Sequence, residues 1–288
     1  MDKKMKILVT GSDGQMGMSF QEISKFYQSY DFYFENKLNL DISNKNMLYN
    51  YIKINKINTL INCAAFTDVE MSESHKQKAD LINNVSVGNI AKICSENSIQ
   101  LIHISTDYVF DGNKQKPYTE EDKTKPVNYY GLTKLEGEKK ILSFNLNKSA
   151  IIRTSWLYSI HGNNFLNKII DKINKRQDFS VVDNQIGTPT NSNDLANMIL
   201  HIIPILKNTN TEIYHYSNIG KCSRYEFAQE INFFMHKKSK IHPIYVPVSK
   251  VNRPKNSVLN SSKIINEFNL HISGWKQSLL KLLNNRIN

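Results

Sequence analysis

The chain has 288 residues, 40% of them apolar and 22% charged, proportions that exclude disordered and fibrous architectures and a length that predicts one large α/β unit or two lobes. Its longest apolar runs, 59–66 and 199–206, fall far short of the roughly 20 residues of a membrane helix, so neither a span nor a membrane partner is expected. The formal charge of +11 comes from scattered lysines with no basic run interleaved with aromatics, which argues against nucleic acid and leaves an anionic small molecule as the partner such a field would attract.

Residues 1–6 are basic, but the apolar run that follows is only Ile7 to Val9, too short for a signal peptide, so a cytoplasmic location is expected. An apolar strand over 5–10 ends at glycine, and Met18, Ile23 and Phe26 recur at helical spacing, predicting a helix over 15–27. A second strand is expected over 31–35, a helix over 44–55, a strand over 59–64, a helix over 77–97 and a strand over 101–105. Alternation of this kind predicts a parallel, doubly wound sheet. A polar loop with Gly112, Pro117 and Pro126 fills 111–128, a helix starts near Tyr129, and a strand follows over 150–153. From Trp156 onward the alternation weakens. Short strands over 213–218 and 241–246, beside helices over 223–236 and 273–284, predict a smaller, irregular lobe. Cys63, Cys94 and Cys222 are odd in number and widely spaced, a pattern of neither disulfides nor metal ligation but of reduced packing residues.

The first turn reads Gly11-Ser-Asp-Gly14-Gln-Met-Gly17. Glycines there allow a tight turn and close approach of the backbone to a pyrophosphate, and the helix that follows offers amide donors to the phosphates. Asp41-Ile42 lies near the end of the second unit, where the carboxylate either accepts from an adenine amino group or caps the next helix. Lys37 either meets a 2′-phosphate or is a solvated loop lysine. Asn62-Cys-Ala-Ala65 ends the third strand with small residues, suited equally to a cofactor and to helix packing.

Tyr130-Gly-Leu-Thr-Lys134 sets a phenol and an ammonium four residues apart, on one face of a helix. A free tyrosine has a pKa of about 10 and works as an acid at neutral pH when a cation stabilises its phenolate, a role open to Lys134 and to an oxidised nicotinamide. Ser105-Thr106-Asp107 closes a predicted strand, where a hydroxyl either orients a substrate oxygen or caps a turn. Glycine-rich turn, strand-end hydroxyl and Tyr-Lys pair in this order resemble the extended short-chain dehydrogenases.

Within that superfamily the chain resembles the dTDP-4-dehydrorhamnose reductase family. The matching stretches are Ser105-Thr-Asp-Tyr-Val-Phe-Asp-Gly112, Tyr130-Gly-Leu-Thr-Lys-Leu-Glu-Gly-Glu138, Arg153-Thr-Ser-Trp-Leu-Tyr158, Asp183-Asn-Gln-Ile-Gly-Thr-Pro-Thr190 and Arg253-Pro-Lys-Asn-Ser-Val-Leu-Asn260. The resemblance implies an α/β fold: a doubly wound Rossmann sheet over 1–155 with a later contribution from about 180–210, and a smaller mixed α/β lobe, mainly substrate-binding, over 156–288. It implies reduction by NADPH or NADH of the C4 keto group of a nucleoside-diphosphate sugar for cell-surface polysaccharide. Tyr130, Lys134 and Thr106 would be catalytic. Gly11, Gly14, Gln15, Met16, Gly17, Asp41, Ile42, Ala64, Ala65, Thr67 and Ser105 would join Tyr130 and Lys134 at the cofactor, and Thr106, Asp107, Trp156 and Arg253 would meet the substrate. Outside the resemblance, Trp156 reads as a core aromatic between lobes and Arg253 as a surface-loop cation.

Some members of that family dimerise through a metal held by glutamates, one of them two positions after the third fingerprint glycine. Ser19 stands there, so no metal is expected, although a homodimer stays open. Related dehydratases place Asp-Glu after the strand-end threonine, whereas this chain has Asp107-Tyr108, and epimerases tend to lack the Arg153 and Arg253 stretches. The alternatives are a reductase of another 4-keto-6-deoxy sugar nucleotide and a non-catalytic NADP-binding regulatory subunit.

Overall fold

The computed structural model describes residues 4–237, 239–245 and 251–287. The chain opens with β1 (Met5–Thr10), α1 (Gln15–Ser24), β2 (Tyr30–Glu35), α2 (Lys45–Asn55) and β3 (Thr59–Asn62). Next come α3 (Val69–Ser74), α4 (Lys76–Asp80), a π-helical turn (Leu81–Val85), α5 (Ser86–Glu96), β4 (Gln100–Thr106), α6 (Tyr129–Leu142) and β5 (Ala150–Thr154). The remainder comprises β6 (Leu157–Tyr158), α7 (Phe165–Asn174), β7 (Phe179–Val182), β8 (Ile186–Gly187), β9 (Thr190–Asn191), α8 (Ser192–Ile202), β10 (Glu212–His215), β11 (Cys222–Ser223), α9 (Arg224–Phe234), β12 (Ile241–Ile244), α10 (Ser262–Phe268) and α11 (Trp275–Ile287).

Six strands form one parallel sheet in the order β10-β5-β4-β3-β1-β2. Because successive side chains of a strand point to opposite faces, the apolar run Ile7-Leu8-Val9 feeds two cores. Ile7 and Val9 pack with Phe20 of α1 and Leu195 and Ile199 of α8, whereas Leu8 packs with Leu48 of α2, Ile90 of α5 and Ile141 of α6. Each such side chain contributes on the order of 1.5–3 kcal/mol by leaving water. A third core joins Ile169 and Ile170 of α7, Phe227 and Ile231 of α9 and Leu279 of α11 around the two-stranded sheet of β7 and β12.

The doubly wound sheet agrees with the alternation of the sequence, and three details differ. β10, expected in the smaller lobe, is the edge strand of the main sheet beside β5, because Tyr214 is fully buried in the first core. The helix expected over 77–97 is interrupted by the π-helical turn. The strand expected over 241–246 ends at Ile244, and Val246 lies outside the described residues. No helix among the described residues is long and apolar enough to cross a membrane, and all three cysteines are free.

Candidate active site

The carboxyl ends of β1, β3 and β4 open into a cleft of about 1260 Å³, whose wall is completed by Trp156, Phe165 and Arg224 from beyond β5. Gly11 adopts φ +65° after β1, and a Cβ on Gly17 would stand 2.4 Å from the Gly11 carbonyl oxygen. A side chain at Gly17 would therefore push the turn off its helix, and one at Gly11 would meet the Ala64 backbone at 2.8 Å. Gly14 caps α1 without a side chain, so the first-turn amides remain free for an anion. These features fit the pyrophosphate of a dinucleotide. Gly11, Gly14, Gln15 and Met16 line the cleft, while Gly17 lies behind them as packing.

Asp41 and Ile42 also line the cleft, as do Lys37 and the Ala64, Ala65 and Thr67 segment. The helix-cap alternative for Asp41 is excluded: Asn44 caps α2 by accepting from the Met47 amide, and Asp41 Oδ1 instead accepts from the Ser43 amide at 2.9 Å and its hydroxyl at 2.7 Å. The segment after β3 is pinned by buried Asn83, in the π-helical turn. Asn83 accepts from the Phe66 amide at 2.8 Å and donates to the Phe66 carbonyl at 2.9 Å and to Thr133 Oγ1 at 3.1 Å.

α6 begins where Asn128 caps it by accepting from the Gly131 amide at 2.8 Å, and it carries Tyr130 and Lys134 to the cleft. The Tyr130 ring meets Tyr108 edge-on, with centroids 5.7 Å apart. Burial pushes the phenol well above its usual pKa against the opposing pull of the Thr106 hydroxyl, so it holds its proton throughout the neutral range. Lys134 Nζ donates to the Ile104 carbonyl at 2.7 Å and lies 3.1 Å from His103 Nε2. Burial lowers this lysine to about 8, opposed by Glu138 and Cys63.

The hydroxyls at the end of β4 divide their work. Ser105 donates to Glu138, so its hydroxyl is committed beneath the site rather than to a substrate. Thr106 faces Tyr130 and also donates to Asp107 Oδ1 at 3.1 Å. Asp107 is 2% exposed. Burial raises its carboxyl to about 6, against the Ser257 and Thr106 hydroxyls and the Arg224 cation, and its Oδ2 is buried with no hydrogen-bond partner among the described residues.

Trp156 lines the cleft and also packs on the third core. It holds φ +44°, and a Cβ on Gly187 would meet its indole at 2.4 Å. Arg253 donates to the Tyr108 hydroxyl at 3.3 Å and pairs with Glu70 across the cleft mouth. Sequence reasoning missed Arg224, whose guanidinium lies 3.6 Å over the Trp156 ring and 5.0 Å from Phe165, with no carboxylate at salt-bridge distance among the described residues. Its only local signal is the first helical position after Ser223, in a Ser223–Glu226 capping box. Ser19 is buried against the Ser192 hydroxyl at 2.7 Å.

A family model described as RmlD substrate binding domain matches residues 5–287. The chain is 33% identical over 285 residues to a dTDP-4-dehydrorhamnose reductase of Aggregatibacter actinomycetemcomitans, covering 95% of this chain and 97% of that one. It is 33% identical over 222 residues to a dTDP-4-keto-6-deoxy-D-glucose reductase of Streptomyces niveus, covering 77% and 76%. Among solved structures, the dTDP-4-dehydrorhamnose reductase of Bacillus anthracis in complex with NADP matches with a TM-score of 0.93 at 33% identity, covering 98% of this chain and all of that one.

Proposed function

The chain belongs to the RmlD substrate binding domain family, and from that premise we propose that it reduces the C4 keto group of dTDP-4-dehydrorhamnose, giving dTDP-L-rhamnose for cell-surface polysaccharide. Bound NADPH or NADH supplies the hydride that C4 receives. Tyr130 donates its phenolic proton to the C4 oxygen, so the carbonyl becomes a secondary alcohol. The observation that carries this reading is the convergence in one cleft of Tyr130, facing Thr106, with Lys134 and the glycine-rich turn, the groups that a general acid, its stabilising cation and a dinucleotide require. The Lys134 ammonium offsets the phenolate that proton transfer leaves behind.

The remaining assignments follow from chemistry. Gly11, Gly14, Gln15, Met16 and Gly17 shape the phosphate end of the cofactor site, with Asp41, Ile42, Ala64, Ala65, Thr67 and Ser105 along its length. Asp107, with its unpartnered oxygen, accepts a sugar hydroxyl, and Trp156, with Arg224 stacked over its ring, forms part of the wall of the sugar pocket. Arg253, which the Glu70 pair partly neutralises, and Arg224, which has no such pair among the described residues, meet the diphosphate. In this scheme 1–155 with a return over about 180–210 hold the cofactor, and 156–288 mainly the sugar nucleotide. The same proposal has the chain working as a cytoplasmic homodimer, a state that light scattering would read.

Tyr130→Phe tests the assignment. NAD(P)H affinity should stay within about twofold while turnover drops by at least 10²-fold, the scale of a lost general acid. Undiminished turnover would remove Tyr130 from its role. The Streptomyces niveus relative favours a second reading, reduction of a 4-keto-6-deoxy sugar of different stereochemistry, which product identification separates.

A further inference from the structure

Behind the cleft a hydrogen-bonded chain runs from Lys134 through three residues that have no role in the proposed reaction. Lys134 Nζ lies 3.1 Å from His103 Nε2, His103 Nδ1 lies 3.0 Å from the Asn62 amide nitrogen, and the Thr10 hydroxyl lies 2.7 Å from the Asn62 side-chain oxygen. All four are almost wholly buried: Thr10 and His103 at 0%, Asn62 at 1% and Lys134 at 2% exposure. Such groups must find partners among themselves.

We propose that His103 is a positioning residue for Lys134, setting through its tautomer whether the lysine rests as ammonium or as amine. This rests on Lys134 being the cation beside Tyr130 in the reductase reading. The chain has two arrangements in which each of its contacts pairs one donor with one acceptor. In the first, the ammonium donates to Nε2, Nδ1–H donates to the Asn62 oxygen, and the Asn62 amide donates to Thr10. In the second, Thr10 donates to the Asn62 oxygen, the amide donates to Nδ1, and Nε2–H donates to the lone pair of a neutral amine. The two differ by the proton that Lys134 releases, by the nitrogen on which His103 carries its single proton, and by a turn of the Asn62 amide between near-isosteric ends. In both, Nζ donates to the Ile104 carbonyl at 2.7 Å.

A doubly protonated His103 fits neither arrangement, and burial first, then the Lys134 charge, hold the imidazole neutral. Besides Tyr130, four residues earlier on α6 in the same cleft, the titratable groups facing Lys134 are His103 from β4, Cys63 from the segment after β3, and Glu138 from its own helix. Burial raises the Cys63 thiol far above its usual range, so it stays neutral, and Glu138 is committed to Arg153 at 2.7 Å. His103 is therefore the neighbour whose state can follow the lysine.

The test uses the full-length protein labelled with 15N-histidine, the His103 resonances being identified by their loss in His103→Gln. From pH 6 to 10 the ring should pass from Nδ1–H to Nε2–H as Lys134 titrates near 8. In parallel, His103→Leu should move the alkaline limb of kcat down by about one pH unit, the scale of a lost hydrogen bond to a charged group, with KM and NADPH affinity within about twofold. His103→Gln, which keeps an acceptor for the lysine and a donor for Asn62, should restore at least half of that shift. One tautomer across the whole range, or a limb that His103→Leu leaves in place, overturns the proposal. A wild-type protein that reduces no sugar nucleotide would defeat the reductase reading instead, and the tautomer measurement alone would then decide the role of His103.

Discussion

In the proposed reaction Asp107 and Lys134 set the working pH. An ionised Asp107 accepts a sugar hydroxyl more strongly than a neutral one, and burial raises its carboxyl to about 6. Lys134 must be charged, and burial lowers it to about 8. The kcat/KM profile should therefore be a bell with an acid limb near 6 and an alkaline limb near 8, and Asp107→Asn should remove the acid limb while leaving the alkaline one. An acid limb that persists in that variant would assign it to another group. That Tyr130, Lys134 and Thr106 line one cleft was legible because their spacing and order carry chemistry within a few residues. Arg224 and His103 were not, because what distinguishes them is a ring stacked across the cleft and a buried lysine on the neighbouring element, neither of which leaves a local pattern.

Among the elements, α6 is held to the sheet by charge as well as by packing. Glu138 receives Arg153 Nε at 3.0 Å and Nη2 at 2.7 Å, with both side chains at most 3% exposed, and the guanidinium lies 5.2 Å from the Phe110 ring centroid. Removing one partner strands a buried charge, so Arg153→Met should cost about 3–5 kcal/mol in urea unfolding, and the double variant Arg153→Met with Glu138→Leu should recover most of it. Equal losses in the single and double variants would contradict this account. Asn83 acts on a different element: Asn83→Ala unpins the segment after β3 and should weaken NAD(P)H binding roughly tenfold, the scale of one or two lost hydrogen bonds, with a smaller change in kcat. Unchanged affinity by fluorescence titration would show that the segment holds itself. The π-helical turn that presents Asn83 was invisible because one extra residue in a turn hardly disturbs apolar spacing over 77–97. β10 was misplaced because four residues of strand carry no sign of which sheet they join.

For the molecule as a whole, the alternation of strand and helix announced the doubly wound sheet, and the site lies where such a sheet places one, outside the carboxyl ends of its strands. The irregular second lobe was legible only as a loss of alternation, since its two-stranded sheets of two to four residues depend on contacts distant in sequence. A net charge of +11 should also draw anionic substrates to the cleft. Raising salt from about 50 to 500 mM should then lower kcat/KM by roughly threefold while kcat changes little, and a salt-independent kcat/KM would limit the lysines to a solubility role. The most direct measurement is NAD(P)H oxidation followed by absorbance, with dTDP-4-dehydrorhamnose generated in place and the product identified. Cofactor consumption with stoichiometric dTDP-L-rhamnose is the predicted result; a folded, cofactor-binding protein that leaves both cofactor and keto-sugar unchanged would contradict it.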